Sequence, residues 1–292
     1  MKRRDLLKTL CAAGGASVAA TALRAEEPGA VVGERDRLGV LVDTTSCLGC
    51  RMCEYACADA NGLPTPEADV ELTATRQTSP DQWSVVCRFE TDRGPVSVKR
   101  QCLHCLQPAC ASACLTKAML KTPEGPVIWR ESKCMGCRYC MVSCPFDVPK
   151  FEYDSAVPKI QKCQLCFDKV QEGKEPACVA NCPARCLTFG RRSELIDLAW
   201  SRVYGEPDRY VRHVYGEHEV GGTSWLYLSA VPFDQLGFRT DLGTTGYPVL
   251  TKEFLYAVPL VLTLVPPFLL ALSRATRARD EGEEEYDDGG GA

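Results

Sequence analysis

The sequence predicts a loop-rich α+β body followed by a single membrane-spanning helix, and three observations predict it. Cysteine stands far above ordinary usage, with 19 in 292 residues. Most of these cysteines are set two or three residues apart, a spacing that loops around bound groups impose and long regular elements do not. Near the C-terminus, Phe254–Leu272 runs for 19 residues without a charge.

The N-terminal element is a targeting segment. Residues 1–25 read Met1-Lys2-Arg3-Arg4-Asp5-Leu6-Leu7-Lys8, then a small, weakly hydrophobic stretch rich in Ala and Gly. Paired arginines ahead of such a stretch resemble a twin-arginine (Tat) export signal. That route carries folded proteins, which suits a chain that acquires a bound group before export. Cleavage after Ala22 or after Ala25 both fit the small-residue rule.

The body follows. Within residues 38–190, Trp83–Glu90 and Val96–Arg100 alternate as strands, and Thr91-Asp92-Arg93-Gly94-Pro95 supplies the turn. They form a hairpin inside an insertion at 58–101. Residues 191–252 form a C-terminal extension packing on the body. In it, Ser193 is placed to N-cap an amphipathic helix from Glu194 to Val203. The Gly-rich stretch Tyr204–Lys252 is expected to run over the surface, with Ser224–Val231 as a strand.

Residues 253–273 predict a transmembrane helix, since 19 residues at about 1.5 Å each span about 28 Å of hydrocarbon. Pro259, Pro266 and Pro267 are tolerable in such a helix where neighbours satisfy the freed carbonyls. Arg274, Arg277 and Arg279 follow it directly. By the positive-inside rule the C-terminus is cytoplasmic and the body lies outside. Residues 274–292 form a cytoplasmic tail, and from Asp280 its acidic, Gly-rich composition reads as disordered.

Sixteen of the cysteines carry the chemistry. They form Cys47-x2-Cys50-x2-Cys53-x3-Cys57, Cys102-x2-Cys105-x4-Cys110-x3-Cys114, Cys134-x2-Cys137-x2-Cys140-x3-Cys144-Pro145 and Cys163-x2-Cys166-x11-Cys178-x3-Cys182-Pro183. Two-residue spacers let a loop wrap one corner of a cube, and the last cysteine of each group reaches the cluster of a paired motif. Four such repeats predict a tandem bacterial-ferredoxin-like architecture: two modules, each with two 4Fe-4S clusters, and four clusters in all. The sixteen cysteines are then both the cofactor-binding residues and the iron ligands.

Zinc prefers two C-x2-C pairs per site and would leave the third cysteine of each group unused. A metal-free, disulfide-stapled structural protein does not require the repeated phase. Of the three remaining cysteines, Cys11 lies in the signal and Cys87 reads as a small buried residue in a strand. Cys186 repeats the spacing of Cys182, so the choice between them stays open; Pro183 after Cys182 matches Pro145 after Cys144 and favours Cys182. His104, His213 and His218 are the only histidines, which argues against haem, and His104 reads as a neighbour of a cluster rather than a ligand. The net charge of −4 implies no nucleic-acid face. No Ser–His–Asp set and no phosphate loop is present. The chain alone is therefore expected to be non-catalytic, a subunit of an oxidoreductase complex.

These motifs resemble the iron–sulfur subunits of membrane-bound respiratory oxidoreductases: formate dehydrogenase, dimethyl sulfoxide and polysulfide reductases, and hydrogenase-2. Within that group they resemble in particular the HybA type of periplasmic nickel–iron hydrogenase-2. That likeness rests on Arg3-Arg4, on Cys134-Met135-Gly136-Cys137-Arg138-Tyr139-Cys140-Met141-Val142 with Val148-Pro149-Lys150, and on Tyr215-Gly216-Glu217, Gly221-Gly222-Thr223, Val231-Pro232 and the terminal span. The resemblance implies that Cys47, Cys50 and Cys53 share a cube with Cys182, and Cys163, Cys166 and Cys178 with Cys57. It likewise implies Cys102, Cys105 and Cys110 with Cys144, and Cys134, Cys137 and Cys140 with Cys114. It implies as partners the hydrogenase small and large subunits and an integral membrane quinone-binding subunit, at the periplasmic face of a bacterial inner membrane. The alternative partner is a molybdenum enzyme of the formate dehydrogenase kind.

Overall fold

The computed structural model describes residues 37–287, with side chains to Arg277. The export-signal reading of residues 1–25, its cleavage site and Cys11 lie outside the described residues.

The central element is β1 (Leu38–Asp43), a run of apolar residues buried on both faces. On one side it pairs antiparallel with β8 (Leu187–Arg191), Val40 opposite Phe189. On the other it pairs parallel with β9 (Trp225–Leu228), Val40 opposite Trp225. The sheet order is β8-β1-β9. One face carries Leu41, Leu226 and Leu228 against Leu195, Ala199 and Val203 of the helix at Arg192–Gly205. The other carries Val40, Val42, Trp225 and Tyr227 against the hairpin of β2 (Val85–Thr91) and β3 (Gly94–Arg100). Hairpin register runs from Val85↔Arg100 to Thr91↔Gly94, leaving a turn at Asp92-Arg93 that is tighter than the expected five residues. Cys87 is fully buried in β2, and its thiol donates to the Arg76 carbonyl at 3.3 Å.

The remaining elements are short. Helix α1 (Met52–Asn61) follows the first cysteine loop. Then come α2 (Ala109–Ser112), β4 (Met119–Lys121), β5 (Val127–Trp129), α3 (Tyr139–Val142), β6 (Lys150–Phe151), β7 (Ile160–Gln161), α4 (Phe167–Gln171) and α5 (Ala177–Ala180). The helix after β8 is α6 (Arg192–Gly205), and α7 (Tyr247–Asp287) closes the chain.

Three expectations need correction. Helix α6 starts at Arg192, so Ser193 lies inside its first turn rather than capping it. The chain passes straight from β8 into the helix, and Arg192 anchors that junction. Its backbone N–H donates to Arg37 O at 2.8 Å, and its guanidinium to Thr223 O and Glu217 O, each at 2.7 Å. The stretch Tyr204–Lys252 does not run over the surface: Tyr210, Tyr215, Trp225, Tyr227, Phe233 and Leu236 are all buried. Its glycines allow close approach where a surface loop would not need it. A Cβ on Gly216, at φ +94°, would strike the Trp225 carbonyl and lie 2.5 Å from Thr223 Oγ1. Tyr215, Tyr227, Phe233 and Phe238 then pack with ring centroids 4.6 to 6.4 Å apart. Finally, α7 continues to Asp287, through the start of the tail expected to be disordered from Asp280. Adding turns to an existing helix costs far less than nucleating one, and the glutamates after Asp280 are good helix formers.

Within α7, Tyr247–Arg277 is long and apolar enough to cross a membrane, and its side chains lie open. The Thr263 hydroxyl turns back to donate to Pro259 O at 2.9 Å, so this side chain presents no unpaired donor.

Candidate metal centre

The cysteine loops share one backbone device. In each opening C-x2-C the residue before the second cysteine is left-handed: Gly49 (φ 70°), His104 (50°), Gly136 (71°) and Leu165 (56°). Arg51 (61°) and Arg138 (62°) repeat it one residue after Cys50 and Cys137. Lys117 (55°), Asp147 (49°) and Arg185 (49°) repeat it three residues after Cys114, Cys144 and Cys182. Left-handed steps beside right-handed ones turn successive N–H groups inward as an anion-binding nest. Non-glycine residues accept the strain only where surroundings enforce it. The repetition across all four motifs shows one loop used four times.

These loops bring the thiols together in four sets. Cys47, Cys50, Cys53 and Cys182 line one cavity, A, with Arg51, Lys99 and Cys186. Cys57, Cys163, Cys166 and Cys178 line a second, B, with Trp83, Lys99 and Trp225. Cys114, Cys134, Cys137 and Cys140 line a third, D, with Trp129 and Arg138. Cys102, Cys105, Cys110 and Cys144 form set C. Burial first, then the neighbouring charges of Cys102, Cys144 and Cys110, push the Cys105 thiol well up.

The sets stand in series. Lys99 borders both A and B. Cys57 and Cys163 of B pack in one cluster with Cys102 of C, and Cys144 lies against it. Cys110 of C packs with Cys140 of D around Met119, Val127 and Ile160. Cys50 and Cys137, at the two ends, are exposed.

Electrostatics differ from thiol to thiol. Burial pushes Cys57, Cys140 and Cys144 up to about 11 and Cys110 up to about 12. Such groups do not ionise in isolation near neutrality; a bound cation supplies the charge that lets them. Cys47 is brought down to about 7, chiefly by a hydrogen bond from Cys186, whose own thiol is pushed up. Cys182 and Cys186 lie 3.5 Å apart, Sγ to Sγ, so both reach cavity A. At Cys114, burial is outweighed by hydrogen bonds, first from the Met119 N–H at 3.4 Å.

The donor set fits iron–sulfur cubes. All 18 described cysteines are free thiols. A zinc ion holds each sulfur about 2.3 Å from a single centre, whereas a cube spreads four thiolates over the corners of a wider cage. Arg51 Nη2, Trp225 Nε1 and Trp129 Nε1 are buried without an acceptor, and they border cavities A, B and D respectively. Buried donors are nearly always paired, and a cluster's sulfides and thiolates would supply the acceptors these lack.

His104 is fully buried, and Val127 N–H donates to its Nδ1 at 2.8 Å. Burial, then the charges of Lys162, Lys121 and Lys99, hold it well below the usual histidine range, so the ring is neutral with its proton on Nε2. Lys99, Trp129 and Trp225 are residues that the cysteine pattern does not reveal. Lys99 stands in a strand that also holds Ser97 and Arg100, so its polarity gives no signal.

Fold and site define a ferredoxin-like iron–sulfur protein joined to a C-terminal apolar helix. Residues 96–192 match the family described as 4Fe-4S dicluster domain. Over 290 residues the chain is 47% identical to a protein of Nitratidesulfovibrio vulgaris, covering 96% of this chain and 78% of that one. It is 31% identical to the hydrogenase-2 operon protein HybA of Escherichia coli O157:H7, covering 87% of each chain. It is 32% identical over 197 residues to the iron–sulfur subunit of nitrate-inducible formate dehydrogenase of Escherichia coli K12, covering 64% of this chain and 66% of that one. The chain belongs to the HybA family of iron–sulfur subunits. It is a non-catalytic electron-transfer subunit of the hydrogenase or formate dehydrogenase type of respiratory complex.

Proposed function

We propose that the chain holds four 4Fe-4S clusters through the sixteen motif cysteines and joins a periplasmic nickel–iron hydrogenase to a quinone-reactive membrane subunit. When bound, the clusters supply one-electron conduction between the two partners. The observation that carries this reading is the series A–B–C–D of thiol sets, with an exposed cysteine at each end. The protein's own part is to fix the spacing, exclude water from the inner sets and aim N–H groups at sulfur.

The two ends differ in a way that supports separate partners. Leu48 and Met52 stand exposed beside A, and Leu115, Met135, Tyr139 and Val142 beside D. Helix α2, which carries Cys110, touches α7, and the segment leading to α7 is tied down by Val220 N–H to Gly243 O at 2.8 Å. The apolar collar at D therefore suits the membrane partner, and that at A the hydrogenase small subunit. Tat export of residues 1–25 and the arginines after residue 273 are consistent with a body on the periplasmic face and a single C-terminal anchor.

Iron and acid-labile sulfide on anaerobically purified protein test the cluster count. About sixteen of each per chain, with interacting reduced-state EPR signals, is expected for four cubes. About eight would reduce the protein to one dicluster module. Co-purified nickel supports the hydrogenase partner, and co-purified molybdopterin replaces it with a formate dehydrogenase-type enzyme.

A further inference from the structure

We infer that Lys99 is a buried counter-charge shared by sets A and B, and that it raises the reduction potentials of the clusters held there. The inference rests on the cluster reading given above. It starts from an anomaly in β3. Lysine is almost never fully buried unless paired, yet Lys99 is 3% exposed, on the strand that backs the thiol loops.

Its ammonium carries three N–H donors. One goes to Gln101 Oε1 at 2.9 Å. The Gln101 amide in turn donates to Tyr227 Oη at 2.7 Å, and Tyr227 Oη donates to Lys99 O at 3.1 Å, which closes a ring that fixes the side chain. Nζ also lies 4.8 Å from the centre of the Trp225 ring. No ion pair to a carboxylate is found for it among the described residues, and two of its donors have no oxygen acceptor.

Two other lysines near the thiols, buried Lys162 and partly buried Lys121, behave differently. Lys121 donates to the carbonyls of His104 and Gly125, and Lys162 to those of Val127 and Cys163. Only Lys99 points into thiol territory on two sides, bordering Cys53 and Cys182 in one cavity and Cys57, Cys163 and Cys178 in the other. An uncompensated buried cation is costly. Its missing partner is the negative charge that two thiolate-bound clusters bring. A fixed positive charge beside a redox centre favours the reduced, more negative form, so its effect on potential is upward.

The test is an EPR-monitored redox titration of the intact protein, as wild type, Lys99→Met and Lys99→Arg, each with its iron content measured. Lys99→Met is expected to lower the reduction equilibrium constant of two of the cluster signals at least about tenfold, which is about 59 mV for a one-electron couple. The remaining signals should stay in place, and Lys99→Arg should restore most of the loss. Unchanged potentials in an iron-replete Lys99→Met protein would overturn the inference while leaving the cluster reading intact. An equal shift of every signal would overturn it too. Should Lys99→Met fail to load iron, retention of iron by Lys99→Arg supports the need for charge, and loss from both refutes it. Iron-free wild type would instead sink the cluster reading itself.

Discussion

Arg76 reaches back 22 residues to place Nη1 2.7 Å from Oε1 of Glu54, a carboxylate with no exposed side-chain surface. Glu54 also accepts from Arg51 Nε at 3.0 Å, Gln82 Nε2 at 2.8 Å and the Val86 N–H at 2.6 Å. It thereby ties the first cysteine loop and α1 to the hairpin. Burial disfavours its charge, but the Arg76 and Val86 hydrogen bonds hold its pKa below the usual range. Glu54→Ala takes the carboxylate from two guanidinium groups, Arg51 and Arg76, and is expected to cost about 3–5 kcal/mol. Because the folded pKa is depressed, the contribution is complete above about pH 4.3 and fades as pH falls through the folded value. Anaerobic urea unfolding at pH 7 and pH 4 reads both effects. Equal stability of variant and wild type at pH 7 would refute the assignment.

His213 and Glu219 form a second pair with the opposite pH signature. Nε2 and Oε1 lie 2.7 Å apart, and Glu219 also accepts the Gly216 N–H at 2.6 Å. The hydrogen bond to Glu219, against burial, raises the His213 pKa. A raised pKa means the stabilisation is full below about pH 6.5 and is lost as pH rises through the folded value. Half of His213 is exposed, so screening keeps its worth below about 1 kcal/mol. His213→Gln should therefore narrow the stability difference between pH 6 and pH 8.5, and thermal unfolding at the two values checks it.

Trp129 offers a test at the far end of the series. Its indole N–H is buried without an acceptor beside Cys114, Cys134 and Cys140. Trp129→Phe keeps the ring packing and removes the donor. A hydrogen bond worth about 0.5–1.5 kcal/mol to the reduced cluster corresponds to a fall of about 20–65 mV in one potential only. Redox titration showing no movement, with iron retained, would exclude donation from this indole.

Helix α7 answers to membrane extraction. Leu262 sits near the middle of the apolar span and is exposed on the helix surface. Leu262→Arg is expected to cost about 3 kcal/mol of insertion free energy. The variant should move from the carbonate-resistant membrane fraction toward the soluble one. A distribution identical to wild type would argue against a spanning role.

Much of this was legible in the sequence because it is periodic or local. The hairpin follows from alternation in Trp83–Glu90 and Val96–Arg100, and α7 from an uncharged run longer than any soluble helix needs. The four cysteine motifs announce their own loops. What escaped was the part fixed by distant contacts. Ser193 looks like an N-cap by residue type, yet the strand-to-helix junction and Arg192 place the boundary two residues earlier. Tyr204–Lys252 looks loop-like because glycine weakens every local signal, while its buried aromatics are set by packing against β1 and the hairpin. Lys99 carries no motif, and its burial becomes visible only once loops 47–53 and 163–178 meet around it.

The order in which the chain supplies each thiol set constrains its maturation. Set D closes with residues between Cys114 and Cys140, and set C between Cys102 and Cys144. Cavity A needs Cys47 and Cys182, and cavity B needs Cys57 and Cys178, so both wait until two strands far apart in sequence have met on β1. Closing long loops is entropically costlier and slower than closing short ones. On the four-cluster reading, the thiols of C and D therefore gather over shorter loops than those of A and B. On the proposed function, the end assigned to the hydrogenase is the last to close, which makes partner binding a natural checkpoint for completeness.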